Sequence, residues 1–166
     1  MKKKIIYSLF ITTMVLNACK PDIKGELGAT ESKVDGMVGT WEVSSFIQQD
    51  PNNPIQEERD LSEFYVIPGE TPLQITFAKA DSAYNVQPGP GRNYFGSQGK
   101  WWLDDPNFPT YLYLQESNDS IINQLPLGNV VRPSDNRLSI DLESACSSVG
   151  GDRTVTSIYK FTFTRK

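Results

Sequence analysis

From Gly39 to the C-terminus, period-two alternation of apolar residues recurs in short runs, and no stripe of helical period runs longer than two turns. The alternating sets are Trp41, Val43 and Ile47; Leu73, Ile75 and Phe77; Leu112 and Leu114; Leu138, Ile140 and Leu142; and Val155, Tyr159, Phe161 and Phe163. Successive strand side chains point to opposite faces, so this pattern specifies strands with one face on a core. The breaks carry turn chemistry: Asp50-Pro51-Asn52-Asn53-Pro54, Asp81-Ser82, Pro88-Gly89-Pro90-Gly91, Asp105-Pro106-Asn107, Ser117-Asn118-Asp119 and Pro133-Ser134-Asp135-Asn136. An all-β fold of about eight short antiparallel strands follows. Short connections favour a meander that closes into a barrel, because closure removes both sheet edges; a two-sheet β-sandwich is the alternative. The inward set is rich in Leu, Ile, Phe and Trp, side chains that fill a small barrel.

The N-terminus reads as an address. Met1 is followed by Lys2, Lys3 and Lys4 and then by an apolar run from Ile5 to Leu16, the charged and apolar regions of a secretory signal. As a helix that run is about 18 Å long, against a bilayer hydrocarbon core of about 30 Å, too short to span. It ends in Leu16-Asn17-Ala18-Cys19, which resembles the lipobox of bacterial lipoproteins. The resemblance implies a signal peptide over residues 1–18, an acylated Cys19 as the mature N-terminus, and a membrane anchor at the cell outer membrane. Two or more acyl chains make such an anchor stable. Residues 19–36 lack periodicity and read as a tether, leaving 37–166 for the barrel.

Charge and composition exclude several functions. The chain of 166 residues has 16 basic and 20 acidic side chains, and cleavage before Cys19 removes three lysines and no carboxylate. An acidic mature protein lacks the electropositive surface that binds nucleic acid. There is no histidine, so the commonest general base and metal ligand is missing, and no nucleophile has a His partner. With Cys19 acylated, Cys146 has no disulfide partner and is expected to be a buried or inert thiol. Gly96-Ser97-Gln98-Gly99-Lys100 lacks phosphate-loop spacing, and Gly89, Gly91 and Gly96 lack dinucleotide spacing; a flexible hairpin loop is expected there. The acidic runs Glu57-Glu58-Asp60 and Asp104-Asp105 lack ion-loop spacing and read as solvated loops, with no metal and no cofactor expected. No catalytic residue is assigned. A glycan-acting hydrolase would need an acidic pair at a cleft.

Gly39-Thr40-Trp41 at the start of the first strand resembles the G-x-W signature of lipocalin-like barrels. It is followed by a long loop, a strand, a hairpin through Asp81-Ser82 and a Gly99-Lys100-Trp101 strand. Behind a lipobox, this order resembles the small lipocalin-like lipoproteins of Bacteroidetes outer membranes. The resemblance implies a lipocalin-like barrel in which a basic side chain of the last strand, here Arg165, packs across Trp41. The second and third conserved lipocalin stretches have no counterpart, so Gly39 and Trp41 are expected to be structural, with Trp41 closing the barrel. Asp81-Ser82-Ala83 and Asp119-Ser120-Ile121 resemble the O-glycosylation acceptor of Bacteroidetes envelope proteins, which implies glycan on Ser82 or Ser120.

The aromatic cluster is the remaining signal. If Leu112 and Leu114 face the core, Tyr111 and Tyr113 face outward, and one of the adjacent Trp101 and Trp102 joins them. Trp101, Trp102, Tyr111 and Tyr113 are therefore the candidate patch for a protein partner or a stacked glycan. The expected role is a non-enzymatic, membrane-anchored binding or accessory protein of an outer-membrane complex. A lipocalin-like carrier of a small apolar ligand or glycan is the alternative, and a glycan-acting hydrolase the second.

Overall fold

The computed structural model describes residues 32–53, 55, 57–129, 131–147 and 153–166. Cys19, the signal peptide and most of the tether lie outside the described residues. The elements are α1 (Lys33–Met37), β1 (Gly39–Gln49), β2 (Glu58–Asp60), a 3₁₀ turn (Ser62–Phe64), β3 (Gln74–Phe77), β4 (Ala83–Gln87), β5 (Gln98–Leu103), β6 (Tyr111–Glu116), β7 (Ile122–Pro126), β8 (Arg137–Ser147) and β9 (Arg153–Arg165).

Eight strands lie on one antiparallel path, β7-β6-β5-β4-β3-β1-β9-β8, and the short β2 pairs with the far end of β1. From β3 to β7 each strand pairs with the next in the chain, β8 pairs with β9, and the last strand returns to pair with the first. The sheet is thus a meander curled nearly to closure, not a two-sheet sandwich. Its two ends, β7 and β8, meet at one point, where Leu127 bridges Ile140 and the Gly128 N–H donates to the Ser139 carbonyl at 2.9 Å. Beside that bridge Asn129 substitutes for strand pairing. Its side-chain oxygen accepts from the Ser139 N–H at 2.5 Å, and its amide nitrogen donates to the Arg137 carbonyl at 3.0 Å. Beyond Ile140 no ladder pairing joins β7 to β8 among the described residues, and the wall stays open along this seam.

The inward faces fill the interior. Trp41, Phe77, Phe95, Phe161 and Phe163 are each at most 1% exposed. Around Phe161, the rings of Phe46, Tyr65 and Phe95 sit at centroid distances of 4.5, 5.2 and 5.2 Å. Phe95 comes from the β4–β5 connection, so that loop plugs one end of the barrel.

Three expectations require correction. Residues 33–36, assigned to the tether, belong to α1, which is capped by the Ser32 hydroxyl accepting from the Asp35 N–H. A five-residue helix is marginal by itself; tertiary contacts with Trp41 and Arg165 hold it. Ile47 does not continue the inward set of Trp41 and Val43. Val43 lies opposite Phe163 and Ser45 opposite Thr162, so Ser44 is an extra residue, and beyond this bulge Phe46 takes the buried side. Finally, Leu142, Val155 and Tyr159 are only partly buried, because their strands run past the point where the wall closes.

Candidate functional site

At one end of the barrel the residues singled out for structure come together. Trp41 is fully buried, and its indole N–H donates to the Met37 carbonyl at 2.8 Å. The Arg165 guanidinium lies 4.5 Å above the Trp41 ring. Its nitrogens donate to the carbonyls of Gly36, Val38 and Asp135 at 2.6, 3.1 and 3.2 Å. Gly39 sits at a φ of +130°, a conformation that favours glycine, with its α-carbon face toward Arg165. The Trp41 indole N–H and all three Arg165 nitrogens thus have hydrogen-bond partners in the chain itself.

The aromatic patch divides by face. Leu112 and Leu114 are fully buried, while Tyr111 is exposed and Tyr113 half-buried on the other side of β6. Trp102 is exposed and stacks on Tyr113, with centroids 5.5 Å apart and planes 13° from parallel. Trp101 does not belong to the patch. It is 2% exposed, packs against Phe77 and donates its indole N–H to the Ala78 carbonyl at 2.9 Å. Adjacent strand residues cannot share a face, and the pairing of Trp101 with buried Leu114 decides which turns inward.

Ser82 and Ser120 are both exposed, and each follows an Asp whose side chain closes a turn. Asp81 accepts from the Ala83 N–H at 3.1 Å, and Asp119 from the Ile121 N–H at 2.9 Å. Cys146, expected to be buried or inert, is exposed on β8, because this end of the strand runs beyond the barrel core.

The acidic runs do not assemble an ion site; among the described residues no three carboxylates or thiols are grouped to hold a metal. Asp104 instead staples the β5–β6 hairpin, accepting from the Thr110 hydroxyl at 2.5 Å and the Thr110 and Tyr111 N–H groups at 2.9 and 3.0 Å. Burial works to raise its pKa, but these bonds outweigh it and bring the pKa down to about 2.

The open seam forms the candidate binding site, a cleft of about 590 Å³. One wall is β7, through Asn123, Gln124, Leu125 and Pro126; the other is β8, through Asp141, Leu142, Glu143 and Ser144. Arg153 and Tyr159 reach it from β9, Tyr111 from β6, and Arg92 and Tyr94 from the β4–β5 loop. That loop is pinned, against the expectation of a flexible hairpin. Tyr65 donates its hydroxyl to the Arg92 carbonyl at 2.8 Å, Asn93 accepts from the Phe95 N–H at 2.9 Å, and Phe95 is locked in the core. Burial, first of all, pushes the Tyr65 pKa up to about 12, so its hydroxyl stays a donor. The Arg92 guanidinium stacks 5.0 Å over the Tyr94 ring at the mouth.

No family model matches the chain, and no curated protein matches it. The site is therefore read from its geometry.

Two carboxyl groups, Asp141 and Glu143, and two guanidinium groups, Arg92 and Arg153, set the electrostatics of the cleft. Glu143 pairs with Arg153 at 3.1 Å. Asp141 has one carboxylate oxygen that is buried without a hydrogen-bond partner among the described residues. Burial raises its pKa, Lys160 across the strand pair works the other way, and Glu143 adds to the rise. An unpaired buried acceptor carries a free-energy penalty.

Tyr111 is the one cleft residue that the sequence reading had placed in the patch. Arg92, Tyr94, Asn123, Gln124, Asp141, Glu143, Arg153 and Tyr159 were not singled out for a site. They come from four separate segments, and β7 is nearly silent in sequence because Leu125 is its one buried side chain.

Proposed function

We propose that this chain is a lipid-anchored protein of the bacterial outer membrane with a non-catalytic binding role, as a partner or accessory of an outer-membrane complex, and that it binds at the β7–β8 seam. The observation that carries this reading is the contrast between a filled interior and an open, polar wall. Trp41, Phe95, Phe161 and Phe163 occupy the space where an apolar cargo would sit, while the cleft outside them holds Tyr rings, amides and ionised groups. An interior of this kind gives no support to a carrier of small apolar ligands; a cleft in the wall supports surface recognition. The anchor rests on the Leu16-Asn17-Ala18-Cys19 sequence behind the lysine-rich signal. Among the described residues no helix is long and apolar enough to cross a membrane.

Two experiments test this reading. Cys19→Ser should release the protein from the membrane fraction; retention after a carbonate wash overturns the lipoprotein reading. Purification from gently solubilised outer membranes should recover a stoichiometric partner with the parent protein and lose it when Tyr111 is replaced by Ser.

A second reading, a glycan-acting hydrolase, has one observation in its favour. Asp141 and Glu143 both line the cleft, two residues apart on β8 and so about 6.7 Å along the strand, and burial raises the pKa of Asp141. Release of reducing ends from oligosaccharides that stops with both Asp141→Asn and Glu143→Gln would establish it.

A further inference from the structure

We propose that the seam cleft and the aromatic row leading into it form a binding site for a short stretch of uncharged polysaccharide. The proposal deepens the reading of the seam as a binding surface and rests on it, but it does not depend on the lipid anchor. On the outer face, Trp102 of β5 lies opposite Tyr113 of β6, and Tyr113 lies opposite Gln124 of β7. Strands are about 4.8 Å apart, so this row crosses about 10 Å of the wall and ends at the cleft edge, where Gln124 is a lining residue. Trp102 and Tyr113 are stacked and partly exposed, offering aromatic faces at low conformational cost.

The chemistry of the cleft selects among ligand classes. Amides, carboxylates and guanidinium groups alternate with Tyr rings, so the cleft presents donors and acceptors on the same surface. A sugar hydroxyl is both donor and acceptor and can satisfy either kind, while the C–H face of a pyranose packs on an aromatic ring. Asp141 and Glu143 both line the cleft, and a carboxylate accepts from a sugar hydroxyl. Arg92 and Arg153 are matched by Asp141 and Glu143, so the lining presents no excess of positive charge to hold a phosphate or polyanion, and an apolar ligand would desolvate polar groups without pairing them. An extended peptide could pair with the free edges of β7 or β8, but strand addition draws its specificity from pockets for alternate side chains, and here the walls carry charged and amide groups.

The test uses the full-length, detergent-solubilised protein and calorimetric titration with cello-, xylo-, lacto-N-, malto-, manno- and chito-oligosaccharides at millimolar concentration, with an alternating Thr-Val peptide as comparison. Saturable binding of at least one sugar, weakened about tenfold or more by Trp102→Ala and by Asp141→Asn and unaltered by Ser82→Ala, supports the proposal. Since Trp102 is at the surface, its variant should keep the parent melting curve; if it does not, Gln124→Ala reads the same row. No saturable binding of any sugar, binding indifferent to all three cleft and row variants, or binding of the peptide alone overturns it. Sugar binding with Cys19→Ser still membrane-bound would sink the anchor and keep the site, whereas sugar failure with normal fractionation would do the reverse. Cleavage of a bound sugar supports the ligand class and removes the non-catalytic reading.

Discussion

The guanidinium of Arg165 lies 4.5 Å over the indole of Trp41, joining the last strand of the barrel to the first. The same guanidinium donates to the Gly36 and Val38 carbonyls at either side of the C-terminal end of α1. One side chain therefore closes the sheet and holds its cap. Cation–π contact and three charge-assisted hydrogen bonds act on one partly buried group.

Trp41→Ala should destabilise the fold by about 3–5 kcal/mol, as large aromatic truncations in cores do. Arg165→Lys keeps the charge but loses the planar fork, and should cost about 2 kcal/mol. If the two residues act as one unit, the double variant should cost less than the sum, measured by urea unfolding. Strict additivity would show that the contact is incidental.

Asp141→Asn should raise the melting temperature at neutral pH. A carboxyl whose folded pKa lies above its unfolded value holds its proton more tightly when folded, so stability falls as pH rises through that interval. The gain from the variant should be full above the folded pKa and vanish below about pH 4, where the unfolded carboxyl is protonated too. Melting curves at pH 3.5 and 7 decide it, and an equal gain at both would mean that the charge of Asp141 is not the cause.

Asp104 has the opposite sign. Its folded pKa is held near the low end of the carboxylate range, at about 2, so its contribution is complete above its ordinary value of about 4 and is lost as pH falls toward about 2. Asp104→Asn should therefore flatten the acid limb of the stability curve and expose the Thr110 and Tyr111 amides to faster hydrogen exchange. An unchanged acid limb would assign acid sensitivity elsewhere.

Replacing Tyr111 and Tyr113 together by Ser should leave the barrel folded, at a cost of no more than about 1.5 kcal/mol, most of it from the lost Trp102–Tyr113 stack. The variant should nevertheless lose its partner or glycan. Global unfolding would place the rings in the core and remove the patch.

The strands and the outward tyrosines were legible because the signal is local. Leu112 and Leu114 are buried and Tyr111 and Tyr113 are not, as an alternation of period two requires. The same rule could not choose between Trp101 and Trp102, which differ by register alone, nor foresee the Ser44 bulge that moves burial from Ile47 to Phe46. β2 and β7 were illegible. The three residues of β2 are all exposed, and a single buried side chain in β7 makes no pattern.

By itself the sequence determined an antiparallel β-domain, its turn positions, and an outer face rich in aromatic residues, because each follows from residues within a few positions of one another. Tertiary structure alone decided where the barrel fails to close. That depends on the two ends of the sheet path, β7 and β8, which among the described residues are joined by a single bridge, Leu127 to Ile140. The cleft that results gathers Arg92, Tyr111, Gln124, Asp141 and Tyr159 from segments far apart in the chain. Sheet curvature and register set such distances, and no spacing along the chain records them.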